Sequence, residues 1–170
     1  MKKRIFAFLL DYLVISVYLI FVVGTLSFLF QPFFLPLFSN SPVTAELTGF
    51  LIITLPVSLY FILCECSRWQ GTWGKQKMAI RVVNNTGQRI GLFHSTIRTA
   101  IKFLPWELAH FGIWQLSLPT QFSETTVLMI LSTANLAAFI YLLSPLTNKK
   151  RKTFYDWIVG TKVVCKQTME

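Results

Sequence analysis

The chain has 170 residues, 54% of them hydrophobic and only 14% charged, with a formal net charge of +9. So apolar a composition excludes a soluble domain of the ordinary kind and points to an integral protein of the cell (inner or plasma) membrane. A basic balance could suggest nucleic acid, but 16 Phe and long uncharged runs leave no soluble face for phosphates, so the expected partner is the lipid bilayer.

The first predicted helix covers about 5–30, behind a head of Lys2, Lys3 and Arg4. It has the length of a membrane span, which needs about 20 apolar residues, and its cationic head should stay in the cytoplasm. Asp11 interrupts it. An aspartate at mid-bilayer costs about 2.5–3.5 kcal/mol, so such a residue usually faces protein or water and is a functional candidate. Asp11 also follows Arg4 by about 10 Å of helix, close enough to partner that cation and simply fasten the assembly. Both roles stay open. A secretory signal is not expected, because the apolar stretch is too long, carries Asp11 and lacks a small-residue cleavage site.

Pro32, Pro36, Asn40, Ser41 and Pro42 then predict a loop over 31–46, which holds no Lys or Arg. A second span is expected over 47–66, kinked at Pro56, where a neighbouring helix can satisfy the carbonyl that proline frees. Arg68, Lys75, Lys77, Arg81 and Arg89 mark a cytoplasmic connection. Within it, Ile80–Val83 and Arg89–Leu92 around Asn84-Asn85-Thr86-Gly87 read as a small β-hairpin on the membrane surface. Asn84-Asn85-Thr86 fits a glycosylation sequon, but its expected cytoplasmic placement makes it inert.

A third span is expected over 97–118, although Arg98, Lys102, Pro105, Glu107 and His110 also suit a helix lying along the interface. A turn at Pro119, Ser123 and Glu124 leads to a fourth span over 125–146, and a basic run, Lys149 to Lys152, opens the tail. Lys and Arg collect in the head, between Arg68 and Lys102, and in the tail, while both outer loops have none. The expected fold is therefore all-α and transmembrane: one domain over 1–170, a four-helix membrane bundle with a cytoplasmic β-hairpin between helices 2 and 3, and both termini in the cytoplasm. Cys64, Cys66 and Cys165 form neither an even disulfide framework nor a metal-ligand set, and no cofactor is expected.

Three motifs resemble the RDD family of small bacterial membrane proteins, named for one arginine and two aspartates. Arg4 to Asp11 resembles its first-helix signature, and Gly71-Thr72-Trp73-Gly74-Lys75 followed by Ile80-Arg81-Val82-Val83 resembles its central segment. Ser144-Pro145 with Thr153 to Val164 resembles the closing block, with Asp156 as second aspartate and Arg98 as the arginine of the helix after the central segment. Phe154-Tyr155 stands where Leu-His is usual. The resemblance makes Arg4, Asp11, Gly74, Lys75, Arg98 and Asp156 the family-motif residues, and it implies a membrane protein, in some members proposed to exchange sodium or related cations for protons.

Glu107 and His110, spaced i and i+3, share a helix face. Together with Asp11 they would supply the carboxylates and imidazole that a proton or cation relay requires. The alternative pairs Glu107 with Lys102 or Arg98 and lets His110 donate to a carbonyl. Gly71 to Lys75 lacks the spacing of a phosphate loop and reads as a turn that sets Lys75 and Lys77 on anionic lipid headgroups. Asp156 is a candidate partner for Lys75, Arg98 or Arg4, with Trp157 an interfacial anchor. No nucleophile with a base and an orienting group is visible, so no enzyme is expected. The expected function is transport or ion handling as a homo-oligomer; the alternatives are a membrane scaffold or partner subunit, or a lipid-interacting module.

Overall fold

The computed structural model describes residues 2–148 and 151–166; Lys149 and Lys150 of the basic run, with Met1 and 167–170, lie outside them. Its helices are α1 (Lys2–Leu29), α2 (Gln31–Ser39), α3 (Pro42–Cys66), α4 (Trp73–Lys77), α5 (Leu92–Ser117), α6 (Glu124–Thr147) and α7 (Phe154–Ile158). Two strands, β1 (Ile80–Asn84) and β2 (Thr161–Cys165), complete it. Among the described residues three helices, α1, α3 and α6, are long and apolar enough to cross a membrane. With 26 residues α5 reaches about 39 Å, but Arg98, Lys102, Glu107 and His110 leave it more polar than those three.

Two expectations are corrected. The 31–46 segment is mostly helical rather than a loop. The chain breaks at Phe30 and resumes as α2 with Pro32 in its first turn, where a missing N–H is an orphan in any case. Ser41 then caps α3, accepting from the Thr44 amide at 3.2 Å, with Pro42 as the first helical residue. Ser-Pro here starts a helix instead of ending one. The hairpin is the second correction. β1 forms as expected but pairs antiparallel with β2, Val82 opposite Val163, while Arg89–Gly91 is irregular and Leu92 already begins α5. Val163-Val164 offers the β-branched pair that Arg89–Leu92 lacks.

The chain divides into two compact units. The first comprises Met1–Ser16, Val57–Lys102 and Tyr141–Glu170. Its interior is polar: Asp11, Glu65, Thr72, Arg98, Asp156 and Thr161 are buried, together with Val82, Val83 and Ile90 of the sheet region. Phe8, Leu9 and Leu142 point outward, Leu142 70% exposed. This inverts the pattern of a soluble protein and leaves an apolar surface suited to lipid. The Ile101 carbonyl, deprived of its helical donor by Pro105 four residues on, accepts from the Tyr141 hydroxyl at 2.8 Å. Pro145 does the same to Tyr141, whose carbonyl accepts from Ser144 at 3.0 Å.

The second unit comprises Val17–Pro56 and Phe103–Ile140. Its outward side chains are again apolar, Phe28 81% and Phe21 69% exposed. α1 and α3 each loosen into a π-helical stretch, Leu19–Gly24 and Phe50–Thr54, and the two stretches pack together. Pro56 explains one of them. It leaves the Ile52 carbonyl without a donor, and the Tyr18 hydroxyl supplies one at 2.6 Å, as expected of a proline-kinked span in a bundle. Gly112 lets α5 approach α6, since a Cβ there would come within 2.6 Å of Leu131 Cδ2.

Candidate functional site

Asp11 sits in the first unit, held by three donors. The Tyr60 hydroxyl (3.1 Å) and the Gly74 amide (2.9 Å) reach Oδ1, and the Thr72 hydroxyl (2.5 Å) reaches Oδ2. Tyr60 in turn accepts the Trp73 amide at 2.9 Å, so α4 is tied to both α1 and α3. Only glycine fits at 74: an added Cβ would overlap the Ala7 carbonyl oxygen and lie 2.8 Å from Asp11 Oδ1. Arg4 does not reach Asp11. Its guanidinium donates to the Val163 carbonyl at 3.0 Å and to the Arg151 carbonyl, joining the start of α1 to β2.

A second cluster centres on Glu65, fully buried at the end of α3. Lys75 Nζ donates to Glu65 Oε1, and Arg98 Nη1 donates to Oε2 at 2.5 Å. Arg98 Nε donates to Asp156 Oδ1 at 2.9 Å, and the hydroxyls of Thr161 and Thr153, each at 2.7 Å, occupy both Asp156 oxygens. The chain of charges thus runs Lys75, Glu65, Arg98, Asp156. Burial works to raise the Asp156 pKa, but Arg98 and the two hydroxyls outweigh it and hold the carboxyl below the usual carboxylate range. Arg98 also lies 4.9 Å above the Tyr155 ring. Burial pushes the Tyr155 phenol up, with Arg98 opposing.

The second unit holds a cavity of about 90 Å³ lined by Glu46, Thr54, Glu107, His110, Trp114 and Phe38. Glu107 Oε1 accepts from the Thr54 hydroxyl at 2.6 Å. Glu46 Oε2 is buried and has no hydrogen-bond partner among the described residues. His110 Nδ1 lies 3.1 Å from the Trp106 carbonyl. A carbonyl can only accept, so Nδ1 carries the proton and Nε2 is the ring's free acceptor.

A family model described as the RDD family matches residues 1–160. The chain belongs to the RDD family. No curated protein and no solved structure matches it. Membership and the apolar helices together mark it as a membrane protein.

The RDD motif residues collect in the first unit: Gly74 on Asp11, Lys75 and Arg98 on Glu65, Asp156 on Arg98, and Arg4 on β2. Of the three partners considered for Asp156 from sequence, Arg98 is the one it meets, and Tyr155, standing where the RDD pattern usually has His, lies beneath that guanidinium. Glu107 and His110 come together in the second unit, while Asp11 is engaged in the first. Two carboxylates escaped sequence reasoning. Glu65 read only as the end of a span, although an acid closing an apolar run next to Arg68 and Lys75 was a usable signal. Glu46 falls in the loop that the sequence predicts, because Pro42 there reads as a helix breaker.

Proposed function

We propose that this RDD protein crosses the membrane four times with both termini in the cytoplasm, and that it binds or moves protons or monovalent cations at the Glu107–His110 cavity. One observation carries the reading: a carboxylate, an imidazole with a free acceptor nitrogen, and a second carboxylate line one small cavity among helices whose outward faces are apolar. Carboxyl oxygens and neutral imidazole are the groups that accept protons near neutral pH, and hard oxygens also suit Na⁺. Proteoliposome measurements of proton and Na⁺ flux test it. Glu107→Gln should lower flux by about tenfold or more, the scale of losing a positioned proton-transfer group. Flux that survives Glu107→Gln removes the reading.

A scaffold or partner-subunit role is favoured by a different observation, the mutual engagement of Asp11, Gly74, Lys75, Arg98 and Asp156. Under it those residues fasten the first unit, the basic side rests on anionic headgroups, and a second copy or another membrane protein completes the assembly.

A further inference from the structure

We propose that Glu46 and Glu107 form a proton-sharing carboxyl pair across the cavity, with His110 Nε2 as the adjoining proton acceptor. The pair deepens the reading above by naming the group that holds the exchangeable proton, and it rests on that reading only for its role in flux.

Three features converge on it. The two carboxyl groups line the same cavity of about 90 Å³. Among the described residues no Lys or Arg lines that cavity: α3 contributes Glu46 and Thr54, α5 contributes Glu107, His110 and Trp114, and α2 contributes Phe38. Finally, the donors are unevenly placed. Glu107 Oε1 has the Thr54 hydroxyl, whereas Glu46 Oε2 is buried with no partner among the described residues. An ionised oxygen left in that position would be costly, whereas a neutral carboxyl there supplies its own donor.

Two carboxylates confined to one cavity without a cation oppose each other, so the proposed pair holds a single proton between its two groups. The ground state therefore has Glu46 as the neutral carboxyl and Glu107 as the carboxylate that accepts from Thr54. When the proton leaves, the Glu46 O–H bond breaks and an N–H bond forms at His110 Nε2. That step leaves two carboxylates balanced by one imidazolium, and release of the Nε2 proton to solvent as another proton binds Glu46 restores the starting state.

Infrared spectroscopy of the purified full chain at about pH 7 tests the pair directly, through the carbonyl stretch of a protonated carboxyl. The wild type should show this band. Glu46→Gln, which keeps the side chain's size, should abolish it, because it removes the carboxyl that carries the proton and leaves Glu107 as the carboxylate beside Thr54. Circular dichroism confirms that the variant is folded. Absence of the band in wild type, or a band unchanged in folded Glu46→Gln, overturns the pair. The two proposals separate cleanly: a band that behaves as expected while flux survives Glu107→Gln keeps the pair and removes the transport reading. Loss of flux without any band does the reverse.

Discussion

Asp156 shows what one buried charge does in this protein. It neutralises Arg98, accepts from Thr153 and Thr161, and so joins α5 to the tail segment carrying α7 and β2. Removing one partner of a buried pair leaves the other charge stranded, at a cost of about 3–5 kcal/mol. Asp156→Asn should therefore lower the melting temperature in detergent at neutral pH. The pH dependence has a definite sign. Because the folded-state pKa is depressed, the Asp156 contribution is complete above the ordinary aspartate value of about 3.9, and it is lost as pH falls through the lower folded value. The gap between wild type and Asp156→Asn should stay constant from about pH 7 to pH 5 and close only below the usual carboxylate range. Equal melting temperatures at neutral pH would show that the ion pair does not hold the tail.

At the scale of elements, the prolines are matched by hydroxyls. Pro56 and Pro105 each orphan a carbonyl four residues back, and in both cases a tyrosine donates to it, Tyr18 to Ile52 and Tyr141 to Ile101. Tyr18→Phe should destabilise the chain by about 1–3 kcal/mol, the cost of an unsatisfied buried polar group. In a Pro56→Ala background, where the helical N–H is restored, the same change should cost much less. A double-mutant cycle by detergent unfolding measures the difference, and equal costs in both backgrounds would refute the match. The need for a donor was legible in the sequence, since a proline inside an apolar span requires one, but not its identity, because Tyr18 lies far from Ile52 along the chain. The same limit explains the hairpin. The strand character of Ile80–Val83 is local and readable, while its partner Thr161–Cys165 lies far along the chain, where no local signal matches the two. The family motifs were legible as a set in the right order. That Glu65 links two of their cations depends on tertiary placement alone.

For the whole molecule, the open quantity is whether α5 crosses the bilayer, because it decides the side of everything after it. Its charges argue on both sides. Arg98 is neutralised inside the first unit by Glu65 and Asp156, which removes much of the penalty of placing a guanidinium within the membrane. Glu107 and His110, further along, line a cavity rather than facing outward among the exposed apolar side chains. Four crossings would keep all 16 Lys and Arg on one side, in line with the bias of cations towards the cytoplasm. With α5 flat, α6 would instead carry the cationic tail to the other face. Single cysteines, introduced after Cys64, Cys66 and Cys165 are changed to serine, read this out with a thiol reagent that cannot pass the membrane of intact cells. Asn40→Cys and Thr120→Cys should label, at the two ends free of Lys and Arg, while Asn85→Cys should not. If Asn40→Cys labels and Thr120→Cys is protected alongside Asn85→Cys, α5 lies on the cytoplasmic surface, the tail is outside, and the proposed four-crossing arrangement is wrong.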